Sequence, residues 1–439
     1  MTPSIRATLL NAFTPSHEVI DPKLFAGRRE QILDLVDALQ SAGKIPLIYG
    51  DRGLGKSSLA IQTQQIAMGD AELLSSMGAS DRVLLDSETF LTFYVACSDE
   101  VHGSLDLIQL LINAMEELDI EDCSQGKASK LVDRTTRKQV SFKFFQLESV
   151  KNYQTEAESI KYSNLNQREK LLKTVRALEQ FIGPQRILFI IDELDRVEDL
   201  SGFASFLRNT SSPYIRFMLI GAMRNISDLH ISHPSVLRSL GPINVPRMTR
   251  GEMADVVDRT VAALGREGLQ HRFNDQARMR LVRMAGGFPW FLHVIGQQAL
   301  AATADSGQPV VTEDDIIRAI RTLISKRFAE QFADLYQLAV RTSTAREKVL
   351  RVFAAWPERD ISTRGAYELL RTMGVTNPGI YKGHLCSDHY GEVLISSQYQ
   401  SGQTLRFRSE MFRQYIYLRP SLCENVDIEV EEAIREVGG

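Results

Sequence analysis

The strongest constraint on this chain is an eight-residue stretch, Gly50 to Ser57, that reads GDRGLGKS. It has the form GxxxxGK[ST] and follows a short apolar run, Ile45 to Tyr49, that is typical of a buried strand. A helical run, Ser57 to Met68, comes directly after it. Glycines allow backbone N–H groups to wrap around phosphates, and a helix N-terminus adds positive potential. The pattern therefore predicts a strand–loop–helix unit that binds the phosphates of a nucleotide.

The catalytic chemistry falls on four polar side chains. Within the first motif, Lys56 is expected to bridge the outer phosphates and Ser57 to bind Mg²⁺. A second buried run, Ile187 to Ile191, ends in Asp192 and Glu193. An aspartate at this place can hold Mg²⁺, and a glutamate beside it can orient and deprotonate an attacking water. Taken alone, the acidic pair is explained equally well as a surface feature next to a core strand. Because it follows a GxxxxGKS motif, it favours hydrolysis of ATP over binding alone.

Two more short apolar runs, Leu91 to Ala96 and Arg216 to Ile220, have the same character. Such runs, separated by helical stretches, are typical of parallel strands that helices cover on both faces. Apolar residues at helical spacing between Ile32 and Leu39 indicate a helix before the first strand. We therefore predict an α/β domain over residues 1–245.

The pattern changes after the predicted sheet. Residues 246–340 contain helical patterns alone, ending in one long helix from Glu313 to Leu338, and predict a small helical domain. Residues 341–420 contain three helical patterns and then two strands, joined by the turn-forming residues 400–403. This is the element order of a winged helix domain. Residues 421–439 form an acidic tail.

Composition narrows the class of protein. A length of 439 residues predicts two or three domains, and 44% apolar with 24% charged residues is ordinary for a globular protein. The apolar runs are far shorter than a membrane-spanning helix, and the four cysteines include no CxxC pair. With no secretory signal visible at the first residues, we expect a cytoplasmic protein. A net charge of −4 gives no overall attraction to nucleic acid, so such binding must come from local patches.

Three segments together resemble AAA+ ATPases: Phe25 to Glu30, which reads FAGRRE, the GDRGLGKS motif, and Ile191 to Asp195, which reads IDELD. The resemblance is to the branch that joins origin-recognition initiator ATPases with STAND-type signalling ATPases. The segment from Leu219 to Pro242, which ends in Ser-Leu-Gly-Pro, is similar in spacing to the initiator pattern. The family implies a P-loop AAA+ parallel sheet in the order 5-1-4-3-2, a helical lid, and ATP bound between them.

The resemblance also implies a set of residues that contact ATP and magnesium. Gly27 and Arg28 would approach the base, and the P-loop would hold the phosphates. The implied ATP-binding residues are Gly27, Arg28, Gly50, Arg52, Gly53, Leu54, Gly55, Lys56, Ser57, Ser58 and Pro289. Ser57 and Asp192 would bind Mg²⁺, and Glu193, Lys56 and Arg238 would act in catalysis.

Some positions depart from the family pattern. Where initiators have a sensor asparagine, this chain has Arg224, with Asn225 one residue later. Arg238 is the nearest candidate for an arginine finger acting on a neighbouring subunit, and a surface salt bridge accounts for it equally well. In the lid, residues 286–290 read GGFPW and lack an arginine. They resemble the Gly-x-Pro element of STAND ATPases, whose proline lies against the base, although a first-turn helix proline explains Pro289 as well. These departures predict slow turnover, typical of a nucleotide-gated switch.

Two regions are candidates for contact with duplex DNA. The winged helix region, residues 341–420, holds twelve Lys or Arg and seven Asp or Glu. Its third helix is expected in the major groove and its wing on the backbone. A second basic stretch, residues 127–151, has interleaved phenylalanines that could stack on bases. The candidate contacts are Tyr381, Lys382, His384, Arg406 and Arg408 in the first region and Arg137, Lys138 and Lys143 in the second. A solvated basic face, a protein-docking winged helix and a packed hairpin are the open alternatives.

The sequence thus favours an ATP-dependent switch, a homo-oligomer that couples slow hydrolysis to assembly on DNA. The alternative is a STAND-like signalling or defence ATPase, in which ATP controls docking to an effector protein and DNA has no part.

Overall fold

The computed structural model describes residues 5–41, 43–85, 88–116, 166–182, 186–223, 238–356, 358, 360–399 and 402–419. Its contacts divide the chain into two compact units. The sheet unit is Glu18–Pro246, and the helical unit is Met1–His17 together with Arg247–Gly439. The first helix, α1 (Ile5–Ala12), therefore belongs to the helical unit.

A five-stranded sheet forms the centre of the sheet unit. Its strands are β1 (Ile45–Tyr49), β2 (Leu91–Ala96), β3 (Ile187–Asp192), β4 (Ile215–Gly221) and β5 (Leu240–Asn244). The order across the sheet is β2-β3-β4-β1-β5, and every neighbouring pair is parallel. From the opposite edge this order is 5-1-4-3-2, so the predicted α/β fold and its strand order are confirmed.

Helices cover both faces of this sheet. They are α2 (Arg29–Gln40), α3 (Lys56–Ala67), α4 (Glu72–Ser76), α5 (Ser104–Glu116), α6 (Gln167–Ile182) and α7 (Phe203–Thr210). One face buries alternate strand residues such as Leu47, Phe189 and Phe217 against α5, α6 and α7. The other face packs against α2 and α3. Because β3 and β4 are buried along their whole length, their sequences are apolar runs without alternation.

The sequence analysis predicted a five-stranded order but assigned no residues to the edge strand β5. It reads LGPIN, and a proline and a glycine argue against a central strand. In the structure β5 pairs with β1 and lies at the edge of the sheet, where a proline is tolerated.

The helical unit continues with α8 (Arg250–Arg266), α9 (Asp275–Ala285), α10 (Pro289–Ser306), α11 (Glu313–Ser325) and α12 (Arg327–Val340). The short strands β6 (Arg272–Phe273) and β7 (Val310–Val311) form a parallel pair. The prediction of one helix from Glu313 to Leu338 is wrong. At Lys326 the backbone leaves the helical region, with φ −118° and ψ −83°, and divides the segment into α11 and α12.

The place of α1 differs from the predicted domain of residues 1–245. It packs against α10, and the ring of Phe13 lies edge-on to His293 with centroids 5.6 Å apart. Gly296 allows this approach, because a Cβ there would lie 2.7 Å from the Phe13 ring. The Nδ1 atom of His293 accepts a hydrogen bond from the Thr14 N–H at 3.1 Å. These contacts hold the N-terminal segment in the helical unit.

We call residues 341–419 the C-terminal module. It contains α13 (Thr344–Ala355), β8 (Ile361–Ser362), α14 (Thr363–Thr372), α15 (Pro378–Leu385), β9 (Leu394–Tyr399), β10 (Gly402–Phe407) and α16 (Glu410–Leu418). Its strands form an antiparallel sheet in the order β8-β10-β9. The three helices and two longer strands follow in the predicted order, with β8 and α16 in addition. Because the contacts group the module with α8 to α12, a separate winged helix domain stays a prediction.

The acidic tail predicted for residues 421–439 lies outside the described residues. Within the described ranges, no helix combines the length and apolar character that crossing a membrane requires.

His293 predicts a specific pH dependence for the stability of the helical unit. Burial lowers the pKa of His293 from 6.5 to about 4, because the protonated ring would lie in an apolar environment. Between these pH values the unfolded chain binds a proton that the folded chain does not, so stability falls as the pH falls. We expect a loss of about 2 kcal/mol between pH 7 and pH 5 from this residue.

Urea unfolding at the two pH values measures this effect. His293→Gln keeps an acceptor near Thr14 and does not titrate, so its loss of stability should be smaller by about 2 kcal/mol. His17→Gln, at an exposed position, is the matched control and should behave like the wild type. An equal pH dependence in wild type and His293→Gln would contradict the assignment.

Candidate nucleotide-binding site

The motif residues 50–57 form a loop that connects β1 to α3. Gly50 and Gly55 have positive φ values of 152° and 84°. A Cβ at Gly50 would lie 2.7 Å from the Val245 carbonyl oxygen, so this position requires glycine. Gly55 directly precedes α3, whose first N–H groups have no partner within the helix. The loop therefore lies at the positive end of α3, as phosphate binding requires.

Lys56 is the first residue of α3. Its Nζ donates a hydrogen bond to the Asp51 carbonyl oxygen at 2.8 Å. Burial lowers the pKa of Lys56 from 10.5, and the carboxylates of Asp192, Asp195 and Asp51 act in the opposite direction. A phosphate in the loop would favour the charged form of this amine.

Strand β3 brings Asp192 to the same loop. Its side chain is buried, and its Oδ2 accepts hydrogen bonds from Ser57 Oγ at 2.6 Å and from Tyr94 Oη at 2.5 Å. Its Oδ1 accepts a hydrogen bond from the Glu193 N–H at 2.7 Å. The structure thus joins the two motifs in one site and adds Tyr94, which the sequence analysis missed. The only signal in the sequence was a hydroxyl-bearing side chain near the end of the run Leu91 to Ala96.

Glu193 follows β3 with a positive φ of 57° and a half-exposed side chain. The Nε of Arg196 lies 3.3 Å from Glu193 Oε2, and its Nη1 lies 3.3 Å from Asp99 Oδ1. A carboxylate in this place can accept a proton from water. To accept a proton, Glu193 must either break its ion pair with Arg196 or act as a base while it remains paired.

Asp195 connects the loop to the end of β4. Its Oδ1 accepts a hydrogen bond from the Ala222 N–H at 2.7 Å, and its Oδ2 lies 3.3 Å from the guanidinium of Arg52. The side chain of Arg52 is 71% exposed, so this motif cation is open to a phosphate ligand. No sequence motif indicated this role of Asp195.

The side chain of Arg28 contacts the phosphate loop through hydrogen bonds to backbone carbonyl oxygens. The guanidinium donates to the carbonyl oxygens of Leu54 at 3.0 Å and Pro246 at 2.6 Å. Both Gly27 and Arg28 have positive φ, 66° and 62°. The Arg28 side chain is buried by these contacts, and its approach to a base stays a prediction.

The remaining predicted residues have other surroundings or lie outside the described residues. Ser58 Oγ accepts a hydrogen bond from the Val19 N–H at 3.0 Å. Arg238 is exposed just before β5, and Pro289 is the first residue of α10, where proline is favourable. The catalytic role of Arg238 and the base contact of Pro289 stay predictions. The residues that lie outside the described ranges are Arg224, Asn225, Arg137, Lys138 and Lys143.

The donor set suits magnesium that arrives with a nucleotide. In the described parts of the chain, no group of three or more His, Cys, Asp and Glu side chains forms a metal site. Magnesium usually takes only one or two protein ligands, with waters and substrate phosphates as the rest. The Ser57 hydroxyl donates a hydrogen bond to Asp192. The lone pairs of Ser57 Oγ therefore remain available for a cation.

Most of the cationic side chains in the C-terminal module have partners within the module. The wing-strand residue Arg406 forms an ion pair with Asp360, and Arg408 forms one with Glu392. Six more cations donate to backbone carbonyls or lie over tyrosine rings. They are Arg341, Arg346, Lys348, Arg351, Arg413 and Arg419. Contact of Arg406 or Arg408 with DNA stays a prediction and requires these ion pairs to be shared with phosphate.

The predicted recognition helix α15 has a mixed surface. The ring of His384 stacks on Tyr390 at 4.9 Å, and its Nδ1 is buried with no partner among the described residues. Tyr381 lies edge-on to His384, and Lys382 is half-buried. Ile380 is 56% exposed on this helix. The sequence pattern placed these side chains on one helix, but it did not show that His384 is part of an aromatic stack.

The fold and the site define the class of protein. A parallel sheet in the order 5-1-4-3-2, with a GxxxxGKS loop bonded to the aspartate that ends β3, is the P-loop fold that the resemblance to AAA+ ATPases implies. No family model matches the chain, and no curated protein matches its sequence.

Several solved structures are similar to this chain. One is a Walker-type ATPase of Pyrococcus abyssi, at 14% identity over 93% of this chain and 99% of that chain, with a TM-score of 0.48. Another is the Aeropyrum pernix ORC2 protein with ADPNP and ADP, at 14% identity over 97% of each chain, with a TM-score of 0.43. A third is the Aeropyrum pernix ORC1 protein in complex with DNA, at 14% identity over 97% of each chain, with a TM-score of 0.44. These similarities concern the fold.

The environment of Cys97 gives a test of the geometry at this site. Its N–H donates to the Asp192 carbonyl oxygen at 2.9 Å. Burial, and then the charges of Asp192, Glu193 and Asp195, raise the pKa of the Cys97 thiol to about 12. At pH 8 the reactive thiolate should be about a thousandfold scarcer than for an ordinary cysteine.

We therefore expect iodoacetamide to label Cys97 at least about a thousandfold more slowly in the native protein than in urea. Mass spectrometry of the peptide that contains Cys97 measures both rates, and the urea sample is the internal control. Rapid labelling of the native protein would show that this thiol and the end of β2 are open to solvent.

Proposed function

We propose that the protein hydrolyses ATP and that its nucleotide state controls binding to DNA. The hydrogen bond between Ser57 and Asp192 carries this proposal, because it brings the phosphate loop and Glu193 into one site. The loop N–H groups and Lys56 bind the phosphates. Ser57 and Asp192 hold magnesium, which supplies charge stabilisation for the transferred phosphoryl group. Glu193 orients the attacking water and accepts its proton.

We further propose that turnover is slow and that full activity needs a homo-oligomer. Glu193 is paired with Arg196, which lowers its availability as a base. The segment at residues 286–290 has no arginine that could add charge at the phosphates. Arg238 is exposed and is our candidate for an arginine that acts on a neighbouring subunit. A slow ATPase of this kind holds its ATP-bound state long enough to act as a switch.

Steady-state hydrolysis of ATP by the purified protein tests the catalytic proposal. Lys56→Ala should abolish nucleotide binding, because it removes the cation that bridges the phosphates. Glu193→Gln should still bind ATP but hydrolyse it about 10²- to 10⁴-fold more slowly, because the general base is lost. Glu198→Gln, at an exposed position on the same segment, is the matched control. Wild-type turnover of tens per second would contradict the switch, and hydrolysis that survives in Glu193→Gln would contradict the assigned base.

Three cations on α14 and α15 support the DNA-binding part of the proposal. Arg364 and Arg371 on α14 are exposed, and Lys382 on α15 is half-buried. The side chain of Arg364 is 86% exposed, and its Nε lies 3.8 Å from Glu368 Oε1. The helices α14 and α15 pack against each other, as the two helices of a helix-turn-helix do when they meet a groove and its flanking phosphates. We therefore propose Arg364, Arg371 and Lys382 as phosphate contacts, with duplex DNA as the partner.

Docking of an effector protein is the second candidate. It is favoured by the surface of α15, where Ile380 is 56% exposed and its neighbours Gly379 and Gly383 are also exposed. Helices that read bases usually present hydrogen-bonding side chains, whereas an exposed apolar residue suits a protein contact.

Salt-dependent DNA binding separates these candidates. The triple variant Arg364→Ala, Arg371→Ala, Lys382→Ala should weaken binding to duplex DNA and reduce the slope of log K against log salt by about one unit per cation lost. A triple variant of exposed cations in the sheet unit, Lys44→Ala, Arg176→Ala, Arg208→Ala, is the matched control and should leave the slope unchanged. An identical slope in both variants would remove α14 and α15 from the DNA contact. Absence of DNA binding by the wild type would favour the effector protein.

A further inference from the structure

Tyr94 contacts the candidate magnesium site from outside both motifs. It lies on β2, in register with Ile190, while Ala96 is in register with Asp192. Tyr94 and Ala96 are on the same face of the strand, so the long Tyr94 side chain reaches along the sheet toward Asp192. Its hydroxyl donates to Asp192 Oδ2 at 2.5 Å, and Ser57 Oγ donates to the same oxygen at 2.6 Å.

These hydrogen bonds nearly fill the capacity of the Asp192 carboxylate. A carboxylate has about four lone-pair sites. Ser57 and Tyr94 occupy the two on Oδ2, and the Glu193 N–H occupies one on Oδ1. Rotation of the carboxylate would disturb all three contacts, and it is buried away from competing water. The Asp192 carboxylate, which accepts the hydrogen bond from Ser57, is therefore held in one orientation. This fixes the direction of the lone pairs on Ser57 Oγ.

We propose that Tyr94 is a positioning residue for the metal–nucleotide complex. By holding Asp192, Tyr94 directs the Ser57 lone pairs toward Mg²⁺ and raises the affinity for a nucleotide that carries the metal. Tyr94 acts through Asp192 and Ser57 and makes no contact with the nucleotide. The inference rests on the proposed function, because it requires that magnesium and nucleotide bind at the phosphate loop.

The packing around Tyr94 allows its hydroxyl to be tested alone. Thr92, on the same face of β2, accepts a hydrogen bond from Gln64 of α3 at 2.9 Å. On the opposite face, Phe93 and Val95 are buried in the core of the sheet unit. The strand is thus fixed by neighbours on both faces. Tyr94→Phe removes one oxygen atom and leaves the ring in place.

Equilibrium binding of a fluorescent ATP analogue, in excess Mg²⁺ and in EDTA, tests the proposal without measuring catalysis. The ratio of the two affinities is the magnesium enhancement. Tyr94→Phe should reduce this enhancement by about tenfold, as expected for loss of a hydrogen bond to a charged group, and should change the affinity in EDTA less than about twofold. Ser57→Ala should remove most of the enhancement. Tyr49→Phe, at the end of strand β1 of the same sheet, is the matched control, because its hydroxyl has no hydrogen-bond partner among the described residues.

The outcomes separate this inference from the proposed function. A wild-type protein that does not bind the analogue would overturn the proposed function, and the inference with it. A wild type with magnesium-enhanced binding and a Tyr94→Phe variant with the same enhancement would overturn the inference alone. Equal weakening of Tyr94→Phe in Mg²⁺ and in EDTA would also overturn it, because that result indicates a purely structural role. A reduced enhancement in Tyr94→Phe, with Tyr49→Phe unchanged, supports it.

Discussion

The buried carboxylate of Asp192 organises the candidate site. An aspartate with 3% exposure is costly unless donors surround it, and Asp192 has three, from Ser57, Tyr94 and the Glu193 N–H. Each donor comes from a different part of the chain: the phosphate loop, strand β2 and the turn after β3. The site is therefore a consequence of the parallel sheet, which places the ends of β1, β2 and β3 at one edge. The same burial that makes Asp192 costly makes its hydrogen bonds strong and directional.

Local pattern predicted the elements whose ends have clear chemical signals. The run Ile45 to Tyr49 ends at a glycine, and β1 has those bounds; the strand over Leu91 to Ala96 also agrees. The segment from Glu313 to Leu338 contains no proline or glycine. The sequence therefore contains no signal that the segment divides at Lys326 into α11 and α12. The position of α1 was equally hidden, because it depends on Phe13 meeting Gly296, a contact between residues far apart in the chain. The spacing of apolar residues in the sequence indicates local periodicity, but it does not indicate contacts between residues that are far apart in the chain.

The candidate site shows the same division. Lys56, Ser57, Asp192 and Glu193 were predictable because each belongs to a motif of fixed spacing. Tyr94, Asp195 and the buried guanidinium of Arg28 act through side chains that reach across strands or to distant carbonyls. Their roles depend on the register of neighbouring strands and on loop conformations that no single segment specifies. The motifs thus identify the chemistry, while the contacts that fix the motif residues in place appear only in the folded chain.

Charge counts gave the least reliable guide, and Arg413 explains why. It is buried beside Glu410, and burial lowers its pKa to about 10, so it remains charged at neutral pH. Its guanidinium donates to the carbonyl oxygens of Ala354 and Glu358 and joins α16 to the rest of the C-terminal module. Such a cation adds to the net charge of the module, yet it cannot reach a phosphate. Counterion release depends on the phosphates that are neutralised, so exposed cations, and not the net charge, determine how strongly this surface can bind DNA.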